Sequence, residues 1–135
     1  MRACRPGIFA LALWQSAGLA ADPLPEVDWA SARVVNVQMI DDRFIPDKFV
    51  FERGIAYRLH MENTGADLHE FTAPEFLKAI AIRNPEVLER TRPDEVALQP
   101  KEQKDLYFVA RTPGRYQLTC ANHDWDNMVG EITIK

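Results

Sequence analysis

Apolar and polar positions alternate with period two along much of the chain, the signal of strands with one face in a core. From Arg33 to Ile40 the alternation puts Val35, Val37 and Met39 on one side, which predicts a half-buried strand with Met39 in the core. Phe44-Ile45-Pro46 opens a second extended segment that runs to Glu52 and stops at Arg53-Gly54; Pro46 suits an edge or a strand start, because it has no N–H to donate to a ladder. Tyr57 to Asn63 alternates again, with Tyr57, Leu59 and Met61 inward and Arg58, His60 and Glu62 outward. The turn residues Asn63 to Asp67 then deliver Leu68-His69-Glu70-Phe71-Thr72, a short strand whose register the pattern leaves open.

Residues 73–95 break the rhythm, with Pro74, Pro85 and Pro93 interrupting them. The run Phe76 to Ile82 suits a short helix or a strand, and a short helical turn is expected near Pro85 to Arg90, so the segment reads as an excursion. Strands resume at Glu95 to Leu98 and Asp105 to Ala110, and Thr112-Pro113-Gly114 is a turn. Arg115 to Cys120 places Tyr116, Leu118 and Cys120 on the inward face, and Val129 to Ile134 closes the chain with Ile132 and Ile134 inward. Seven to eight short strands with little helix predict an all-β Greek-key sandwich over 33–135, carrying a helical or irregular excursion around 73–95.

The first residues follow a different pattern. Arg2 and Arg5 precede an apolar run from Ile8 to Trp14, with the small residues Gly18 and Ala20 after it, which predicts a signal peptide over 1–20, cleaved near Ala20, and a linker over 21–32. The exported product is expected in the periplasm without membrane insertion, since no stretch approaches the roughly 20 apolar residues of a spanning helix. Removing 1–20 takes away two arginines and no acids and moves the formal charge from -4 to -6. That acidity argues against nucleic acid and favours a partner with a basic docking face, met by a monomer. Of the two cysteines, Cys4 leaves with the signal segment and Cys120 stays. A lone thiol in an oxidising compartment must be buried, paired between chains, or held by a metal.

Cys120 is followed by His123 and Met128 at Cys-x2-His-x4-Met spacing, in a segment that leaves one strand and returns in the next. His69, after its own turn, is placed to join them from a neighbouring strand end. A thiolate, two imidazoles and a weakly bound thioether suit one copper ion in both its Cu(I) and Cu(II) states. Singly, each residue has a plainer reading: Met128 as core, His69 as a hydrogen-bonded strand histidine, Cys120 as a small buried hydrophobe. Zinc fits the set less well, because its tetrahedral sites prefer Cys and His without a thioether. His60, on a polar face, is expected to lie outside the set.

The run from Pro113 to His123 and then Met128 to Ile134 resembles the copper-binding end of the cupredoxins, the plastocyanin and pseudoazurin kind in particular. Phe44-Ile45-Pro46, Gly54 and the turn from Asn63 to His69 are similar to the early part of the same family. The resemblance spans about residues 33–135 and implies an eight-stranded sandwich in which His69, Cys120 and His123 bind copper strongly and Met128 weakly. It further implies electron transfer through His123, the ligand nearest solvent.

Three departures stand out. Many members carry Asn after the first His and Ser or Thr after the Cys, and these tie the ligand segments together; here the positions hold Glu70 and Ala121, so that bridge is missing and Glu70 either reaches backbone amides or faces solvent. Asp124, Trp125 and Asp126 replace a mostly apolar rim, as a charged docking edge or a solvated turn. The excursion at 73–95 is the third. The expected function is therefore a periplasmic electron carrier with a redox partner protein, not an enzyme. The alternative is a copper-tolerance protein that binds or oxidises copper. With only three histidines the chain lacks the additional ligands of a multidomain copper oxidase.

Overall fold

The computed structural model describes residues 23–122 and 127–135. Among the described residues ten strands form two five-stranded sheets that bury one core between them. Sheet one contains β1 (Arg33–Ile40), β2 (Arg43–Ile45), β4 (Ala56–Asn63), β6 (Ile80–Ile82) and β8 (Gln103–Ala110), in the order β2-β1-β4-β8-β6. Sheet two contains β3 (Lys48–Phe51), β5 (His69–Thr72), β7 (Glu95–Leu98), β9 (Gly114–Thr119) and β10 (Val129–Ile134), in the order β3-β10-β9-β5-β7. Each sheet is mixed: β1 runs parallel to β4 and β3 parallel to β10, while the remaining pairs are antiparallel.

The long strands fall where the alternation predicts them. Val37, Met39, Tyr57, Leu59, Met61, Leu118, Ile132 and Ile134 all face the core. The strand count of ten exceeds the expected seven to eight for two reasons. The segment from Phe44 to Glu52 is two strands rather than one, because Pro46 offers no N–H to a ladder and the chain passes there from sheet one to sheet two. The excursion also adds β6, which pairs with β8 at the edge of sheet one.

That excursion is better ordered than its composition suggests. Pro74 starts a five-residue helix, α1 (Pro74–Lys78), in the first turn, where its missing N–H costs nothing. The helix presses Phe76 and Leu77 into the core, and a 3-10 turn follows at Pro85–Val87. Upstream of β1, Trp29 packs edge-on against Tyr107 of β8, and the Arg83 guanidinium lies 5.1 Å from the Trp29 ring centre.

His60 faces outward from sheet one, where its Nδ1 is 2.7 Å from Asp105 and Arg58 donates to the same carboxylate at 3.0 Å. Burial works against the charged form of Asp105, yet these two hydrogen bonds hold its pKa below the usual carboxylate range. His60 thus serves the sheet surface.

Candidate metal centre

One end of the sandwich collects the ends of β4 and β9, the starts of β5 and β10, and the loops that join them. His69, Cys120 and Met128 meet here, and all three are fully buried. His69 Nδ1 lies 3.9 Å from Cys120 Sγ. The Cys120 N–H donates to the Met128 carbonyl at 3.2 Å, closing the neck of the loop between β9 and β10. His123, Asp124, Trp125 and Asp126 lie outside the described residues. Among the described residues, no three His, Cys, Asp or Glu side chains are placed to hold a metal. The described share of the expected set is one imidazole, one thiol and one thioether.

His69 and Cys120 pass a simple spacing test for a metal. A sulfur at ~2.3 Å and a nitrogen at ~2.0 Å from one metal, at a trigonal angle, stand about 3.7 Å apart. The 3.9 Å between Cys120 Sγ and His69 Nδ1 agrees with that spacing and exceeds a strong hydrogen bond. The Glu70 backbone N–H donates to the same sulfur at 3.3 Å, leaving it aimed into the pole.

The turn before β5 sets the His69 ring. Asn63, buried at the end of β4, accepts from the Gly65 N–H at 2.9 Å and donates to the carbonyls of Asp67 and Leu98, each at 2.8 Å. One side chain thus folds the turn and fastens it to sheet two. Gly65 then sits flat against the imidazole: a Cβ there would fall 2.8 Å from His69 Nε2 and 3.0 Å from the Asp41 backbone nitrogen. Gly65→Ala is therefore expected to push the ring off its present line to Cys120. The cost should be about 1–3 kcal/mol of stability from overpacking, together with weaker copper binding. Denaturant unfolding and a copper titration of the same variant check both.

Burial pushes the Cys120 thiol up from 9.0 to about 11, the Glu70 N–H working against the rise and the Glu70 carboxylate adding to it. In the unfolded chain the thiol ionises near the ordinary value, so between about 9 and about 11 the unfolded state loses its proton first. Stability of the metal-free protein must then fall as pH rises through that window, by roughly 2–3 kcal/mol across it. Urea unfolding at the two ends of the window, compared with Cys120→Ala, checks the sign and isolates the residue. A dependence that persists unchanged in the variant would assign it elsewhere.

The largest surprise is Glu70. It is 3 % exposed, and its Oε2 accepts from the Asn122 N–H at 3.2 Å and from the Cys120 thiol at 3.3 Å. Its Oε1 accepts from the Asn122 side-chain amide. The bridge that Ala121 makes impossible is thus made one residue further on, and Glu70 reaches a backbone amide instead of facing solvent. Asn122 is the residue sequence reasoning missed, since nothing in the loop's pattern sets it apart from a solvated turn. Asn63 was visible as a turn former, but its three bonds across the pole were not.

Comparison with known proteins agrees with this architecture. Residues 7–134 match the family described as Cupredoxin-like domain. Among solved structures, auracyanin B superposes with a TM-score of 0.56 at 18% identity, covering 77% of this chain and 89% of that one. An auracyanin from the photosynthetic bacterium Roseiflexus castenholzii, reduced with dithionite, gives 0.56 at 17% identity, covering 77% and 98%. The McoA multicopper oxidase of the hyperthermophile Aquifex aeolicus gives 0.61 at 12% identity, with 84% of this chain aligned to 31% of that one. No curated protein matches the sequence. Identities this low speak for the fold alone, but the family match spans nearly the whole chain, and the protein belongs to the cupredoxin-like family.

Proposed function

We propose that the protein is a mononuclear type 1 copper protein that carries single electrons between partners in the periplasm. The observation that carries this reading is the buried pair of His69 Nδ1 and Cys120 Sγ at 3.9 Å, with Met128 buried beside it. A bound copper ion would supply one-electron chemistry at that point. His69, Cys120 and His123 are the proposed strong ligands and Met128 the weak one.

The chain's own residues do the rest. Asn63 and Gly65 hold the His69 ring in place, so little has to move when the oxidation state changes. The core side chains behind Cys120 and Met128 exclude water from the thiol and the thioether. The Glu70 N–H to Sγ fixes the sulfur lone pairs that face the pole. Such rigidity suits electron carriage, where each rearrangement adds to the barrier. A redox partner with a basic face is proposed to dock at this pole, beside Asp41, Asp42 and Asp67.

The chain acts as a carrier rather than an enzyme in this reading, since three histidines cannot furnish a second copper cluster. Reconstitution followed by voltammetry tests it: reversible one-electron reduction and reoxidation is expected, and an electrochemically silent or irreversible centre would overturn it. The carboxylate against Cys120 favours a second reading, a copper-handling protein whose task is tolerance. Deletion of the gene should then raise copper sensitivity, and unchanged sensitivity would count against that role.

A further inference from the structure

The two strands that bring His69 and Cys120 together, β5 and β9, share a single register pair, Thr72 with Thr119, and no further pair toward the pole where the candidate ligands sit. Beyond that pair the backbone ladder has ended. What continues the connection is Glu70, through its N–H to the sulfur and its carboxylate to Asn122 and the thiol. Asn122 presents two donors, its backbone N–H and its side-chain amide, and each meets a different oxygen of Glu70. Only a carboxylate offers two acceptor oxygens in that fork.

The charge of this group is as telling as its geometry. The partners of the Glu70 carboxylate among the described residues are neutral donors, the Cys120 thiol and the two N–H groups of Asn122. Arg92 is turned to Glu95 instead, at 3.1 Å. A buried anion with no cation against it destabilises further negative charge nearby and stabilises positive charge. Were a metal to displace the thiol proton to solvent, two anionic groups would border the centre; Cu(II) would balance them, whereas Cu(I) would leave a net negative charge in a dry site.

We propose that Glu70 is the positioning residue of this centre: it clasps the Cys120–Asn122 segment to the His69 strand before a metal arrives, and its carboxylate weights the bound copper toward Cu(II). The clasp is a property of the folded chain, and the weighting rests on the copper reading above. Both halves are open to substitution without touching a candidate ligand.

The first arm is amide hydrogen exchange on the metal-free protein, read at the Asn122 N–H. Glu70→Gln keeps shape but leaves one acceptor for two donors, and Glu70→Ala removes both. Exchange at Asn122 should accelerate about tenfold or more in each, while the Lys135 N–H, bonded to the Phe51 carbonyl at the far end, stays protected and reports that the fold is intact. The double variant Glu70→Gln/Asn122→Asp reverses one bond, with the new amide at 70 donating to the new carboxylate at 122, and should restore protection. Exchange at Asn122 as slow in Glu70→Gln and Glu70→Ala as in the wild type would overturn the clasp.

The second arm compares affinities for Cu(I) and Cu(II). Glu70→Gln should shift the ratio toward Cu(I) about tenfold, equivalent to a rise of ~59 mV for one electron. An unchanged ratio in a variant with a loosened loop would overturn the weighting and keep the clasp. A wild type that binds no copper would sink the weighting along with the copper reading, and the exchange arm would still decide the clasp.

Discussion

Phe51→Ala is expected to remove about 3–5 kcal/mol of stability, the largest loss any single substitution of the core should produce. Phe51 is fully buried and stands at the centre of an aromatic cluster. Its ring centre is 4.8 Å from Tyr57, 5.1 Å from Phe108 and 5.7 Å from Phe76, edge-on to the first two and stacked on the third. Those neighbours come from β4, β8 and α1, so the truncation opens a cavity where both sheets and the helix meet. Edge-to-face pairs add about 0.5–1.5 kcal/mol each beyond buried area, and two of them vanish together. Against a total of about 5–15 kcal/mol for a domain of this size, the variant should sit near the limit of folding. The cluster lies at the end of the sandwich away from the candidate ligands, because Phe51 pairs with Ile134 while Val129 pairs with Thr119. Whatever fraction folds should therefore keep wild-type copper binding. Chemical denaturation measures the loss, and a cost under about 1 kcal/mol would mean the core closes over the gap.

Cys120→Ala is expected to abolish tight copper binding while leaving the metal-free fold in place. Four ligands in a structural metal site share roughly 10–16 kcal/mol, so the loss of one should weaken binding roughly 100-fold or more. In the wild type, copper at about 100 times its dissociation constant should add ~2.7 kcal/mol to unfolding. The variant should gain far less at the same concentration. The thiol proton must leave for the metal to bind, and burial holds that proton to about pH 11. Copper affinity of the wild type should therefore rise with pH across the neutral range, more steeply than in the variant. Thermal unfolding with and without copper gives the first comparison, and competition titrations give the second. Equal copper-induced stabilisation of the wild type and Cys120→Ala would place the metal elsewhere.

The parts of this fold that sequence displays are those with one wet face. β1, β4, β9 and β10 alternate because one side meets the core and the other meets solvent, and their ends fall within a residue of the expected bounds. β5 does not alternate: His69, Glu70 and Phe71 are all buried, so no polar face exists to fix its register or to reveal where Glu70 points. The same holds for the excursion, where α1 and β6 bury residues on short elements that periodicity cannot resolve. Chemistry was legible where residue type alone carries it. Cys120 stood out as the thiol that remains if 1–20 is removed, and the structure brings it beside His69, fifty-one residues earlier in the chain. The Glu70–Asn122 contact joins residues fifty-two apart whose types are ordinary, and only their placement shows that they replace a missing link.

That link is also where the protein departs from the family it belongs to. The Glu70 carboxylate bonds to both the Cys120 thiol and the Asn122 N–H, so in the proposed reading geometry and oxidation-state preference would be tied to one residue. A carrier built this way would hold its oxidised state more firmly than one clasped by neutral side chains.

In the proposed function Cys120, with His69, binds copper through its thiolate. The optical and paramagnetic spectra of the Cu(II)-loaded protein, recorded beside those of Cys120→Ala, test it most directly. An intense thiolate-to-copper absorption band that disappears in the variant is the predicted result. Absence of that band from the loaded wild type, or its survival in the variant, would contradict the account.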